Sequence, residues 1–361
     1  MVADRKIRAL VVDDSVFARV SITKQLAADP EIEVIDTASN GIEALEKIRD
    51  LRPDVVTLDI EMPRMDGLTA LGQIMSECPT PVVMLSSLTG EGTQETIRAL
   101  QLGATDFFLK DSAARPAGTY ETADDFRAKV KQASQVDPAK LHTTHMPRKE
   151  HLFSKKKPPQ EGIAVNARRV VVIGSSTGGP QALSDVLPAL PGDLPALLLV
   201  IQHMPPELTK SLANRLNSAC EIEVAEACEG EKMRVGKALI APGGYHMVIN
   251  EEGYITLTKD KNECGVRPAA NVTLESVARR FGSDTLCVIL TGMGSDGTRG
   301  ATLIKSAGGK VFAEDESTCI VYGMPKSIVD AGLADKILPR SQIAPEIVVA
   351  CNEEGAREIK L

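Results

Sequence analysis

The sequence predicts an α/β chain built as two doubly wound parallel-sheet domains, and three observations predict it. Short apolar, β-branched runs alternate with segments of helical period over residues 1–134. The same alternation resumes at 168 and continues to residue 361. Between them, 135–167 lose the apolar period and carry Asp137-Pro138, Met146-Pro147 and Lys155-Lys-Lys-Pro-Pro159, the composition of a flexible, partly extended tether.

In the first domain Ile7–Val12 is an apolar strand ending in Asp13-Asp14-Ser15, followed by helical period through Ala28. A strand (Ile32–Thr37), a helix (Gly41–Leu51) and a strand (Val55–Leu58) ending at Asp59 come next. Then follow a helix over 67–77, a strand (Val82–Leu85) ending in Ser86-Ser87, and a helix over 91–101. The strand Asp106–Leu109 ends in Lys110, and a last helix spans Tyr120–Ala133. In a parallel sheet these strand ends share one edge, so Asp13, Asp14 and Asp59 meet there. Three carboxylates repel unless a cation sits among them, and a hard, oxygen-seeking Mg²⁺ suits such a set while keeping positions open for phosphate oxygens. A hydroxyl (Ser86) and an ammonium (Lys110) at the same edge can hold a phosphoryl group placed on Asp59.

Val-Val-Asp13-Asp14-Ser, Leu-Asp59-Ile-Glu-Met-Pro63-x-Met-Asp-Gly67, Ser86 and Lys110 together resemble a response-regulator receiver domain, which is flavodoxin-like in fold. The resemblance implies that Asp59 is the phospho-acceptor and that Asp14 and Asp59, with the Glu61 carbonyl, hold Mg²⁺. It makes Ser86 and Phe107 the switch pair and Lys110 the phosphate-sensing cation. Receivers usually carry Pro after that lysine; this chain has Asp111.

The tether holds His142, His145 and His151. Histidines on a segment without fixed geometry make a poor metal site, and they read as solvated.

The second domain opens on Val170-Val171-Val172-Ile173, a run suited to a strand buried on both faces, followed by Gly174-Ser-Ser176-Thr-Gly178-Gly179-Pro180 and an Ala/Leu-rich helix. Gly174-x-Ser176-x-Gly178 fits a nucleophile elbow. It could equally be a phosphate or dinucleotide loop, although its spacing is not G-x-G-x-x-G and no P-loop lysine follows. The strand Ala196–Ile201 ends in Gln202-His203-Met204-Pro205-Pro206, whose prolines suit the first turn of the next helix. An irregular middle contains Ala241-Pro-Gly-Gly-Tyr-His246 and a hairpin around Asn250–Gly253. A helix over 271–281 leads to the strand Leu286–Leu290, then Thr291-Gly-Met293-Gly-Ser-Asp296-Gly297, a helix over 298–307 and the strand Lys310–Ala313.

A serine hydroxyl attacks only with a base to take its proton, a group to orient that base, and donors for the developing oxyanion. Outside the tether the histidines are His203 and His246. His203 ends a buried strand on the edge that carries Ser176, so it is the better base. Asp296 ends a third apolar strand and can hold the imidazole tautomer, besides capping a helix. The Met293 N–H in the same loop is an oxyanion-hole candidate.

The order Ser176, His203, Asp296 is not that of α/β-hydrolases. Ile-Gly174-x-Ser176-Thr177-Gly178-Gly179, Gln202-His203-Met204, Ala-Pro-Gly-x-x-His246-Met and Thr-Gly-Met293-Gly-x-Asp296-Gly are similar to the catalytic domain of the chemotaxis protein-glutamate methylesterases, which also carry an amino-terminal receiver. The resemblance implies a Rossmann-like three-layer catalytic domain with Ser176 as nucleophile, His203 as base and Asp296 as its orienting carboxylate. Thr177 and Met293 line the oxyanion side. It also implies a phosphorylation-activated hydrolase of glutamate methyl esters, and a glutaminase, acting on the cytoplasmic helical bundle of a chemoreceptor. The esterase chemistry itself takes no cofactor, and a chemotaxis histidine kinase is the phosphodonor. Where that family usually shows Arg-Pro-Ser-x-Asp, this chain reads Arg267-Pro268-Ala269-Ala270-Asn271.

Composition bounds the alternatives. A net charge of −8 and the lack of Trp argue against a nucleic-acid surface, and seven scattered cysteines without C-x-x-C read as free thiols of a cytoplasmic protein. No run is apolar enough to cross a bilayer. A monomer is expected. The competing reading is a response regulator with a non-catalytic, nucleotide-binding output domain; a DNA-binding output domain ranks below it.

Overall fold

The apolar runs of the first domain become strands in a computed structural model, which describes residues 5–86, 90–110, 122–141, 167–353 and 358–359. The strands β1 (Ile7–Val12), β2 (Ile32–Ala38), β3 (Val55–Asp59), β4 (Val82–Ser86) and β5 (Asp106–Leu109) pair in parallel in the order β2-β1-β3-β4-β5. Helices α1 (Val16–Ala27), α2 (Gly41–Leu51), α3 (Gly67–Glu77), α4 (Gly90–Gln101) and α5 (Ala123–Ala133) alternate with them. Their starts are set by side chains that accept otherwise orphaned N–H groups: Ser15, Asn40 and Asp66 cap α1, α2 and α3, and Thr122 with Asp125 forms a capping box on α5. Ile22 and Leu26 of α1 and Phe126 and Val130 of α5 share one core with Ala9, Val11, Val55 and Val83 of the sheet. The expected start of the last helix at Tyr120 lies outside the described residues.

The order of packing extends past the boundary expected at 134. Val136 and Leu141 are buried, the latter in a turn of 3₁₀-helix over Pro138–Leu141, so two apolar residues too widely spaced for a helical pattern still pack onto this unit. The histidines at 142, 145 and 151 lie outside the described residues, as does Asp111.

The chain divides into two compact units. In the second, β6 (Arg169–Ser175), α6 (Gly179–Val186), β7 (Ala196–Gln202), α7 (Leu208–Ala219), β8 (Glu223–Glu226) and β9 (Lys237–Ile240) come first. A hairpin, β10 (His246–Ile249) and β11 (Ile255–Thr258), turns at Asn250 as expected, with the Asn250 side chain accepting the Glu252 and Tyr254 N–H groups. Then follow α8 (Ala270–Phe281), β12 (Thr285–Ile289), α9 (Thr298–Ser306), β13 (Lys310–Glu314), α10 (Met324–Asp330), β14 (Lys336–Leu338) and α11 (Arg340–Asn352). Seven strands form one parallel sheet in the order β14-β13-β12-β6-β7-β9-β8. The core is built from residues such as Val170, Val172, Leu199, Ile201, Leu274 and Ile289.

Two expectations need correction. The irregular middle hides β8 and β9, which join the main sheet; each is only four residues long, too short to show a period. Pro205 and Pro206 stand before α7 rather than in its first turn, with Glu207 at φ +75° between them and the helix. They pack against Gly243, where a Cβ would lie 2.3 Å from the Pro205 carbonyl carbon.

In both sheets the strand order reverses once, between β1 and β3 and between β6 and β12. Such switch points open a crevice at the carboxyl ends of the strands, where ligands bind.

Candidate active site

The first crevice gathers Asp13 and Asp14 from the end of β1 and Asp59 from the end of β3, with carboxylate oxygens within 4.8 Å of one another. Asp13 and Asp59 are buried and Asp14 is exposed. Lys110 reaches in from the end of β5, its Nζ 2.6 Å from both Asp13 Oδ2 and Asp59 Oδ1. Burial pushes the Asp59 carboxyl up to about 6, against the pull of the Lys110 ammonium. Gly67 is required behind it, because a Cβ there would sit 2.0 Å from the Asp59 carbonyl oxygen. Glu61, Asp66, Thr69 and Arg98 line the cavity that leads outward from Asp14 and Asp59. An all-oxygen donor set with an exposed member fits a hard cation that keeps some of its water.

Ser86 is buried, and its hydroxyl shares a 2.5 Å hydrogen bond with Thr96 of α4. Phe107 is buried on β5, with Lys129 Nζ donating to its carbonyl at 2.8 Å and lying 4.5 Å from its ring centroid. Thr96 and Lys129, which bond to Ser86 and to the Phe107 carbonyl, carry no sequence signal of their own.

The second crevice lies between β6 and β12. Ser176 follows β6, His203 follows β7, and Asp296 lies in the loop after β12. Register brings the first two together: Ser175 pairs with Gln202, and the His203 N–H donates to the Ser175 carbonyl at 3.1 Å. On its other side the Ser176 N–H donates to the Thr291 carbonyl at 3.1 Å. Gly292 gives the serine room, since a Cβ there would come within 2.8 Å of Ser176 Cβ. His203 Nε2 and Asp296 Oδ2 are 2.7 Å apart. Nδ1 is therefore the ring nitrogen left for the serine side. Ser176 Oγ makes no hydrogen bond among the described residues; such contacts often close only when substrate arrives.

The turn differs from a strained elbow. Ser176 is not among the residues at positive φ; the left-handed position is Gly178, at φ +78°. Gly179 is needed for a close approach, since a Cβ would lie 2.0 Å from Gln202 Oε1. Protein packing thus accounts for these glycines without any phosphate.

The loop over 291–297 is held from behind. Glu314, fully buried at the end of β13, accepts the Thr291 N–H at 2.8 Å and the Arg340 Nε–H at 3.0 Å. Thr291 Oγ1 donates to the Thr177 carbonyl at 3.0 Å. Among the described residues nothing accepts the Met293 N–H, and the Met293 side chain is 47% exposed. His246 is fully buried, with Nε2 3.1 Å from the Lys261 carbonyl oxygen, a packed histidine of the hairpin.

Two family models match the chain: a response regulator receiver domain over residues 9–116 and a CheB methylesterase over 171–347. The protein-glutamate methylesterase/protein-glutamine glutaminase of Symbiobacterium thermophilum is 48% identical, over 97% of this chain and 98% of its own. The chain belongs to the CheB methylesterase family. The enzyme of the same name from Pyrococcus abyssi is 46% identical over 97% of this chain and 94% of its own. The crystal structure of the Thermotoga maritima CheB methylesterase catalytic domain is 48% identical and covers 50% of this chain and 97% of that one, with a TM-score of 0.49.

The methylesterase unit thus brings Ser176, His203, Asp296, Thr177 and Met293 to one crevice. Sequence reasoning missed Glu314, although it carries the signal that singled out Asp13 and Asp59, a carboxylate at the end of an apolar strand; Asp296, expected at such an end, lies instead in the loop seven residues beyond Ile289, where β12 stops. Asn271 lies in the stretch Arg267-Pro268-Ala269-Ala270-Asn271 that departs from the expected pattern. Its Oδ1 accepts the Gly297 and Gly300 N–H groups at 3.0 and 2.9 Å, so the amide caps α9.

Proposed function

We propose that this chain is a phosphorylation-activated serine hydrolase that removes methyl groups from glutamate γ-esters on the cytoplasmic helical bundle of a chemoreceptor, and deamidates glutamines at such sites. The observation that carries the reading is the His203–Asp296 hydrogen bond of 2.7 Å at the crevice beside Ser176. In this mechanism Ser176 Oγ attacks the ester carbonyl while His203 Nδ1 takes its proton. Asp296 holds the other ring nitrogen and stabilises the imidazolium. The oxyanion rests on the Met293 N–H, with Thr177 on the same side. Collapse of the tetrahedral species expels methanol, protonated by His203, and leaves a glutamyl-serine ester. Water then attacks, with His203 again as base, and frees the glutamate and Ser176. General-base catalysis contributes about 10²–10⁴-fold and an oxyanion donor about 10²–10³-fold. A γ-amide passes through the same species with ammonia as leaving group.

Receiver chemistry uses Mg²⁺, and Asp14, Asp59 and the Glu61 carbonyl are the groups that would hold it. When bound it offsets charge on the phosphoryl oxygens. Asp59 accepts the phosphoryl group from a histidine kinase, Lys110 pairs with it, and Ser86 leaves Thr96 to reach it. The domain division behind this is a receiver, a tether and a methylesterase unit from 168 onward.

The test is methanol release from methylated receptor by the full chain, with and without a small phosphodonor. Ser176→Ala is expected to abolish release in both conditions. Retained release by Ser176→Ala overturns the reading.

A further inference from the structure

We infer that Gln202 is a positioning residue of the esterase, fixing the separation of the nucleophile from its base. Its Nε2 donates to the Ser176 carbonyl at 2.9 Å and to the His203 carbonyl at 3.2 Å. One amide group therefore grips the backbone of both residues. Carbonyl oxygens only accept, so the face turned to them must be the NH₂. That leaves Oε1 to accept from Ser175 Oγ, which lies 2.7 Å away. Gln202 is 2% exposed and Ser175 is fully buried, so the Ser175–Gln202 bond is shielded from water, while the two bonds to the half-buried Ser176 and His203 are part-buried. The missing Cβ of Gly179 leaves the space that Oε1 occupies.

The position matters because the backbone tie between the two strands ends just here. The last register pair of β6 and β7 is Ser175 with Gln202, and the last bond is the His203 N–H to the Ser175 carbonyl. Beyond it the chain after Ser176 turns into α6 and the chain after His203 runs out to the Pro205-Pro206 segment. The Gln202 side chain carries the tie past the end of the ladder, onto the two residues that must meet. Misplacing reacting groups by about 1 Å can cost on the order of 10²-fold in rate. A buried amide that only satisfied its neighbours would affect stability and leave turnover per folded molecule alone.

This inference rests on the proposed roles of Ser176 and His203, so the experiment separates the two. In the full-length chain, Gln202→Met keeps the length of the side chain and removes both donors, Ser175→Ala frees Oε1 and leaves the donors, and Ser176→Ala tests the reading itself. Methanol release from methylated receptor gives kcat and KM. Labelling by a fluorophosphonate, which reacts with an activated serine, reads the nucleophile without receptor binding. Gln202→Met is expected to lower kcat and labelling rate together by about 30- to 100-fold with KM changed less than about threefold. Ser175→Ala is expected to lower both by about three- to tenfold. Should Gln202→Met fail to fold, Ser175→Ala decides alone. If Ser176→Ala is inactive while the folded Gln202 and Ser175 variants keep kcat within about twofold, the inference is overturned and the esterase reading stands. If Ser176→Ala remains active, both fall.

Discussion

Four donors converge on the Asp296 carboxylate. Oδ2 receives His203 Nε2 at 2.7 Å and the Ala270 N–H at 2.6 Å, and Oδ1 receives the Asn271 and Gly297 N–H groups, both at 2.9 Å. Burial alone would raise its pKa, but the His203 hydrogen bond and charge, with the Asn271 and Ala270 N–H groups, hold it below the usual carboxylate value. A depressed folded pKa means that the ionised carboxylate stabilises the fold at pH values above its unfolded pKa of 3.8, and that this contribution is lost as the pH falls through the folded value. Urea midpoints measured from pH 7 down to pH 3 are therefore expected to fall more steeply for the wild type than for Asp296→Asn. The same substitution presents an NH₂ where the imidazole N–H and a backbone N–H now donate. The kcat for methanol release is expected to fall on the order of 10³–10⁴-fold, with receptor KM little changed. Equal kcat in the two proteins would remove Asp296 from the mechanism.

At the scale of elements, β12, β13 and α11 support the 291–297 loop, the proposed oxyanion side, through one buried ionic group. Arg340 opens α11 and is 7% exposed; it reaches Glu314 at 3.0 Å, Asp185 of α6 at 3.3 Å and the Thr318 carbonyl at 2.5 Å. Removing one partner of such a group leaves the other charge buried and uncompensated, which typically costs about 3–5 kcal/mol. Arg340→Ala is expected to lose about that much in urea unfolding. Glu314→Gln keeps the shape and an acceptor for the Thr291 N–H, so it is expected to lose less, about 1–3 kcal/mol. Glycines join the elements elsewhere: a Cβ on Gly292 would meet Met324 Sδ of α10 at 2.5 Å, so α10 and the 291–297 loop are packed to contact around Ser176.

For the whole molecule the same topological device occurs twice. Each of the two parallel sheets reverses its strand order once, and the residues assigned to the proposed chemistry lie at or beside each reversal. Two units joined by a few tens of residues meet at an effective concentration on the order of mM, so even a weak mutual affinity can couple them. Asp59→Asn is expected to leave basal methanol release in place and to abolish its stimulation by a phosphodonor. Deleting residues 1–141 is expected to raise the basal rate; an unchanged or lower rate would exclude inhibition by the receiver unit. No helix among the described residues is long and apolar enough to cross a membrane.

How much the sequence determined follows from the range of the forces involved. Alternating apolar runs and helical periods are local, so the strands from Ile7 to Leu109, both α/β units, the strand-end residues Asp13, Asp59 and His203, and Asp296 in the loop that follows β12, were legible from the sequence. Strand ends are special because a parallel sheet sends them all to one edge, which let chemistry be read from residue type and place. Strand order, and with it the position of each crevice, was not legible, since any order satisfies the same period. The short β8 and β9 lay below the length at which a period can be recognised. The His203–Asp296 bond was expected from residue type and place, but other bonds between residues far apart in the chain were out of reach: Gln202 to Ser176, Glu314 to Thr291, Thr96 to Ser86. Each depends on which elements are neighbours, and only tertiary packing decides that.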